Sequence, residues 1–283
     1  MARGFKPFSP LRADGRGLLP GRRLQLFPDA LSPFLARDST YVPQEFRLRR
    51  SLDGLRIVLP AAGEPQSDFR QRLPFPDSPA LTARLLADTL GRSVGLLQET
   101  RPAERKTLYS IPSDSLFRAM MLPSDNFLAE QLLLLVSHGL GEELQPEQAI
   151  LFGLQHHYGG YPEPPVWVDG SGLSRFNLMT PESILRVLEQ LENAAGGWEA
   201  LKVFLPAGGQ SGTLKNAYAL DEGEVFVWAK TGTLRHAHLQ SGLLETRKGK
   251  KLRFVFMHNN FTRETAEVRE EMVRVLTELR RRY

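Results

Sequence analysis

Two short clusters in this chain bring together residue types that can do chemistry in concert. Ser124-Asp125-Asn126 sets a hydroxyl, a carboxylate and a primary amide in three consecutive residues. Lys230-Thr231-Gly232-Thr233 sets an ammonium and two hydroxyls around a glycine. A serine and an asparagine amide held at a rigid helix junction can relay a proton and orient a peptide. A lysine and hydroxyls on a strand edge can hold a carboxylate, and a glycine there lets a substrate approach the backbone closely. Each cluster also has a plain structural reading. Serine, aspartate and asparagine all favour helix N-caps, and Lys-Thr-Gly can simply end a strand. Their order, and the elements on which they fall, favour the chemical reading.

Helix signals surround the first cluster. A helix is predicted from Asp114 to Met121, stopped by Pro123, and another from Asn126 to His138, ended by Gly139. Leu132, Leu133, Leu135 and Val136 cover most of the circumference of the second, which predicts a buried helix. Upstream, Ser78 is a predicted N-cap, Pro79 the first helical residue and Gly91 the stop, with Leu81, Leu85 and Leu86 on one face. Thr180-Pro181-Glu182 opens a further helix that should turn Ile184, Leu185, Leu188 and Leu191 inward before Gly196-Gly197.

Beyond that point the period changes. Glu224 to Ala229, His238 to Leu244 and Leu252 to Met257 read as strands of an antiparallel meander, and Lys230 ends the first of them. A final amphipathic helix from Thr262 to Arg281 carries Val268, Met272, Val275, Leu276 and Leu279 at helical spacing. The order predicts an α/β fold with one antiparallel sheet flanked by helices. Residues 1 to 70 differ in being rich in Pro, Gly and Arg. Their short strand-like stretches are Phe46 to Arg49 and Leu55 to Leu59, bounded by Asp53-Gly54 and Pro60.

Composition removes several classes of function. The 283 residues include no cysteine, so there is no disulfide framework, thiolate nucleophile or cysteine-ligated zinc. The net charge of +4 is small for the length, and the basic runs Arg47 to Arg50, Lys248 to Lys251 and Arg280 to Arg282 are short. No basic stripe with interleaved aromatics suggests a nucleic-acid partner. No apolar stretch approaches the roughly 20 residues of a membrane span. His236 and His238 alternate on a predicted strand and would share a face, but without a third ligand their expected role is structural. His156-His157 is expected at a polar helix end. Trp167, Trp198 and Trp228 are expected in the core or lining a cleft. Asp169-Gly170-Ser171-Gly172 lacks the lysine and spacing of a phosphate loop. No cofactor is expected.

Several segments resemble the D-alanyl-D-alanine carboxypeptidase/endopeptidase family of class C penicillin-binding proteins. They are Tyr109 to Leu116, Ser124 to Leu133, Trp167 to Asn177 with Thr180-Pro181, Leu205 to Gly209, Ser211 to Asn216, and Lys230 to Leu234. The likeness runs from about Leu73 to the C-terminus. It implies a transpeptidase/β-lactamase-like fold and a serine peptidase that acylates itself with a peptidoglycan stem peptide, releases the terminal D-Ala and is trapped by β-lactams. By that resemblance Ser124 is a proton relay, Asn126 a ligand of the substrate amide and Lys230 the electrostatic support of the relay. Thr231, Gly232 and Thr233 lie beside the substrate carboxylate, and a backbone N–H of the Lys230 strand supplies half of an oxyanion hole. Asp169 to Arg175 is implied to be structural, and the location a periplasm or cell envelope.

The family's chemistry starts from Ser-x-x-Lys, whose serine is the nucleophile and whose lysine is its base. With eight lysines the test is short. The residues three before Lys6, Lys106, Lys202, Lys215, Lys230, Lys248, Lys250 and Lys251 are Arg3, Ala103, Glu199, Gly212, Val227, Glu245, Arg247 and Lys248. None is serine. The stretch Met1 to Pro7 is not followed by an apolar leader. The expectation is a chain truncated at its N-terminus, inactive alone. Residues 1–70 would be the remnant of an upstream region and residues 71–283 the C-terminal part of the transpeptidase-like domain. The alternatives are a non-catalytic peptidoglycan-binding pseudoenzyme, or promotion of another serine, for which no candidate has a nearby base in sequence. A β-lactamase is disfavoured by the 169–177 and 205–216 matches. A sheet lacking its first strands should expose the Leu252 to Met257 strand at an edge.

Overall fold

The computed structural model describes residues 11–14, 25–27, 29–51, 54–63, 65, 69–73, 78–98, 109, 111–141 and 144–283. Asp53, Ser110 and the Met1 to Pro7 start therefore lie outside the described residues. The chain forms two compact units, Met1–Ser110 and Ile111–Tyr283.

In the first unit, strands β1 (Leu11–Asp14), β2 (Gln25–Phe27) and β6 (Arg70–Leu73) form one antiparallel sheet in the order β2-β1-β6. A second sheet has the order β3-β5-β4, with β3 (Leu35–Arg37) parallel to β5 (Ile57–Leu59) and β4 (Arg49–Arg50) antiparallel to it. Leu31, Leu48, Ile57 and Leu73 share a core with Leu81 and Leu85 of helix α1 (Pro79–Leu90). The composition shift near residue 70 thus falls inside one packed unit. Ser78 caps α1 as expected, its hydroxyl accepting from the Leu81 N–H at 3.2 Å. Of the predicted Phe46 to Arg49 strand, only Arg49 is extended; Leu48 instead exchanges both backbone hydrogen bonds with the Gln71 amide.

The second unit holds helices α2 (Ser113–Met121), α3 (Asn126–Leu140), α4 (Pro146–Tyr158), α5 (Pro181–Ala195), α6 (Trp198–Lys202) and α7 (Thr265–Arg282). Its sheet is the predicted meander, β7 (Val227–Leu234), β8 (Ala237–Glu245) and β9 (Lys251–Asn259), antiparallel in that order. The two-residue side-chain period sends neighbouring residues to opposite faces. Leu243 and Trp228 pack with Leu188, Trp198 and Leu201 of α5 and α6, whereas Leu244, Val227 and Ala229 pack with Leu276 of α7. Helices therefore cover both faces, and central β8 is buried on both sides. At the tail of α7, Asp221 takes two hydrogen bonds from Arg247 and one from the buried Arg280, which ties the helix back to the sheet.

β9 is an edge of this sheet among the described residues. Its cations Lys251 and Arg253 are engaged by Glu199, Glu189 and Glu192 of α5 and α6.

Three sequence expectations are corrected. α3 is not a buried helix: Leu133 and Ser137 are buried, but Leu135 and Val136 are 59% and 48% exposed. An apolar circumference states what a helix could bury, not what covers it. Leu191 on α5 faces outward, one step past the stripe formed by Ile184, Leu185 and Leu188. The first meander strand begins at Val227, because Glu224 closes a turn with Asp221 instead.

Gly242 shows how tightly β7 and β8 approach. A Cβ there would sit 2.1 Å from the Trp228 carbonyl and 2.6 Å from Ala229 Cα, one residue from Lys230. Gly242→Ala is expected to lower the stability of the second unit by about 1–3 kcal/mol, because backbone must move to admit the methyl. Denaturant unfolding followed by tryptophan fluorescence measures it, and an unchanged midpoint would refute the packing argument.

Candidate active site

The junction of α2 and α3 is built by its own hydrogen bonds. Pro123 cannot continue α2, and the N–H groups of Ser124 and Asp125 turn back to the carbonyls of Met121 and Met120 at 3.3 and 2.8 Å. Ser124 sits at φ 58°, the left-handed region that costs a non-glycine residue conformational energy. Asp125 then caps α3, its carboxylate accepting from the Leu128 N–H at 3.0 Å. The capping role thus falls to the middle residue of the cluster. The Ser124 hydroxyl is left to face the sheet, and Asn126 stands exposed on the first turn of α3.

From β7, Lys230 reaches back to that junction. Its ammonium donates to Ser124 Oγ at 2.6 Å and to the Thr231 carbonyl at 2.5 Å, joining residues 106 apart in sequence. Burial holds its pKa below the ordinary lysine value, since a low-dielectric surrounding penalises the charged form.

The register of β7 prepares its outer edge. Glu245 donates to the Phe226 carbonyl and Ala229 to Pro206, so alternate residues turn their N–H groups to opposite sides. The segment 206–208 covers the edge only as far as Ala229. Continuing the alternation, Thr231 and Thr233 aim their N–H groups outward, past the end of that cover. Thr231 also donates its hydroxyl hydrogen to Thr213 Oγ1 at 3.0 Å. Thr213 in turn donates its N–H to the Leu122 carbonyl, and a Cβ on Gly212 would lie 2.5 Å from the same oxygen. The 211–214 turn therefore binds the end of α2 to the edge of β7.

A cleft of about 1550 Å³ runs along these elements. Ser124, Asn126, Lys230, Thr231, Gly232 and Thr233, all six residues expected to form a site, line it together. Its opposite wall is the 169–177 loop. Asp169 accepts from the N–H groups of Gly172 and Ser174 and from the Asn177 amide, while Glu130 of α3 accepts from Gly170 and Ser171. These carboxylates are committed to holding the loop.

Residues 78–279 match the D-Ala-D-Ala carboxypeptidase 3 (S13) family. The chain belongs to that family. It is 30% identical over 168 residues to the D-alanyl-D-alanine carboxypeptidase DacB of Haemophilus influenzae, covering 54% of this chain and 33% of that protein. It is 34% identical over 203 residues to carboxypeptidase DacB of Mycolicibacterium smegmatis, covering 65% of this chain and 43% of that one. The chain thus spans less than half the length of these curated relatives. In fold it resembles the crystal structure of penicillin binding protein 4 from Haemophilus influenzae complexed with a novel β-lactam. The TM-score is 0.65 at 22% identity, over 96% of this chain and 68% of that one.

Within this S13 chain the histidines settle differently from the sequence expectation. His236 is not on a strand beside His238 but in the two-residue turn between β7 and β8, at φ 62°, with Nδ1 2.9 Å from the Phe261 carbonyl. His238 is buried, its Nδ1 2.9 Å from Thr233 Oγ1. Among the described residues no three or more His, Asp or Glu side chains gather as a metal-binding cluster. His157, in the last turn of α4, meets the Gln190 amide at 2.6 Å. Trp198 is buried with α5 and α6, Trp228 packs against that cluster, and Trp167 lines the cleft. Sequence reading missed Thr213, Glu130 and Arg269. Thr213 lay inside a segment already noted, but nothing local marks a threonine as the partner of a strand 18 residues away.

Proposed function

We propose that this chain is the substrate-holding part of a serine-type D-Ala-D-Ala carboxypeptidase of the class C penicillin-binding proteins, acting in the cell envelope on peptidoglycan stem peptides. The observation that carries the reading is the 2.6 Å contact of Lys230 Nζ with Ser124 Oγ at the floor of the cleft. It unites the two motifs at the place where the reaction needs a proton relay. In this reading Ser124 passes the proton toward the leaving amine, and Lys230 keeps that hydroxyl polarised. Asn126 orients the substrate amide. Thr231 and Thr233 offer hydroxyls to the terminal carboxylate, with Gly232 leaving the strand edge open for the peptide. An outward N–H of β7 meets the developing oxyanion. β-Lactams, which carry the same carboxylate and a reactive amide, are the second class of ligand.

The nucleophile and its base belong to a Ser-x-x-Lys that these 283 residues do not contain. The reading therefore includes an N-terminally truncated chain that holds substrate without acylating; the alternative is a peptidoglycan-binding pseudoenzyme. An in-frame Ser-x-x-Lys in the coding sequence upstream of Met1 supports truncation, and a stop codon directly upstream supports the pseudoenzyme.

Binding tests the common core of both. NMR titration of the full chain with diacetyl-L-lysyl-D-alanyl-D-alanine should give saturable shifts at the cleft, and the L-alanyl-L-alanine isomer should not. Lys230→Met should weaken binding roughly tenfold, as expected for loss of a charge-assisted contact. Absence of binding, or equal binding of the two isomers, removes the reading.

A further inference from the structure

Two of the short basic runs in the sequence meet in the folded chain. The turn between β8 and β9 carries Lys248 and Lys250, with Lys251 opening β9, and Arg280 to Arg282 end α7. The Arg247 N–H donates to the Arg280 carbonyl at 2.9 Å, and the Lys248 ammonium donates to the Arg282 carbonyl at 3.2 Å. Gly249, at φ 75°, lets the turn close, its N–H on the Thr246 carbonyl.

Of the cations gathered at this end of the sheet, only some are matched by acids. Arg247 and Arg280 share Asp221 and also reach Glu222 and Glu224, while Lys251 pairs with Glu199. Lys248, Lys250, Arg281 and Arg282 are exposed and have no carboxylate partner among the described residues. Glu278, one turn before Arg281 and Arg282, is engaged by Arg274 at 3.7 Å. Tyr283 stands among these cations, 39% exposed, its ring 5.2 Å from Lys250 Nζ and 5.9 Å from the Arg282 guanidinium. A helix C-terminus attracts cations, but it carries only about half a negative charge. Lys248, on the Arg282 carbonyl, already meets that demand. Unmatched like charges repel, so their gathering here points to an anion from outside the chain.

We infer that this end of the second unit is an anchoring surface for a membrane of anionic lipid, held through the phosphate headgroups. The four cations stand on a turn and a helix end, an arrangement that a flat layer of headgroups can meet. Tyr283 adds an apolar ring with a polar tip, the side-chain type that settles where headgroups give way to hydrocarbon. The surface is separate from the cleft. Glu245, beside the turn, lies seven residues along β8 from His238, the partner of Thr233, roughly 23 Å at about 3.3 Å per residue. Anchoring there leaves the cleft open and does not depend on what the cleft binds.

Co-sedimentation of the full chain with vesicles of phosphatidylcholine containing about one-third phosphatidylglycerol tests the anchor. The chain should bind these vesicles and not pure phosphatidylcholine. Binding should fade at about 1 M salt, where charges are screened beyond about 3 Å. Each cation near the headgroups is worth about fivefold in affinity, so Lys250→Gln combined with Arg281→Gln should weaken binding roughly 25-fold. Arg47→Gln combined with Arg92→Gln, exposed arginines of the first unit, removes the same charge and should change binding less than about twofold. Circular dichroism matching the wild type shows that both variants are folded. Equal binding to pure phosphatidylcholine, or an equal loss in the two double variants, overturns the anchor. Tighter binding to soluble polyphosphate than to the vesicles, at equal phosphate, assigns the surface to an anionic polymer and overturns the lipid partner. Each of these results leaves the peptide titration of the cleft untouched, so failure of the anchor and failure of the peptide reading are told apart.

Discussion

Intact-mass spectrometry of the 283-residue chain after incubation with benzylpenicillin is expected to show the unmodified mass and no covalent adduct. The expectation follows from what stands around the one serine of the cleft that touches a basic group. Lys230 Nζ donates to Ser124 Oγ and to the Thr231 carbonyl. An ammonium cannot accept the hydrogen that a nucleophilic serine must surrender. Its lowered pKa makes the neutral amine more accessible than in an exposed lysine, yet both of its contacts are donations to oxygen, which favour the charged form. The reaction needs a second lysine, three residues after a second serine, and none of the eight lysines has a serine there. Stoichiometric acylation would sink this account. Its disappearance in Ser124→Ala would show that Ser124 and Lys230 work as a complete dyad.

Local signals proved reliable wherever the physics was local. Ser78, Thr180 and the meander strands are recognisable because caps, prolines and two-residue alternation act within a few residues. The family motifs were equally plain, since each is a short run of unusual chemistry. What could not be read was set by packing between distant segments. The apolar circumference of α3 implied burial, but Leu135 and Val136 face outward because no described element covers them. His236 looked like a strand residue, and a two-residue turn took it. Helix α4 was foreseen only at its His156-His157 end: its face of Ala149, Ile150 and Gly153 is small and mixed, and Gly153 is needed because the Trp167 ring lies 2.7 Å from where a Cβ would be. Arg269 was invisible for the same reason. Its contact with Thr233 depends on the register that brings the end of β7 under α7, whereas Arg274 is engaged by Glu271 of its own helix and Arg280 by Asp221 from outside it.

Buried His238 gives the second unit a distinct response to acid. His238 is 2% exposed, and burial first, then the charges of Arg269 and His258, hold its pKa at about 4 against an ordinary 6.5. Above pH 6.5 the ring is neutral in both folded and unfolded chains and nothing is lost. As pH falls toward 4, the unfolded chain takes up a proton that the folded chain refuses, so stability declines across that window. Below 4 the folded ring also protonates and the decline from this group ends. Fully expressed, the loss is roughly 3 kcal/mol. The carboxylates Asp221 and Glu271, whose pKa values their arginine partners hold below the ordinary range, also shed stability at acid pH, so the wild-type profile alone does not isolate His238. The difference from His238→Gln does, because glutamine cannot take up the proton in either state. Denaturant unfolding should be followed by the fluorescence of Trp167, Trp198 and Trp228, all of which lie in the Ile111–Tyr283 unit. The stability of wild type minus variant should then fall steadily from pH 6.5 to 4 and flatten below. Parallel profiles across that range would mean that the folded ring takes up its proton as readily as the unfolded one, and that burial does not hold it neutral between pH 6.5 and 4.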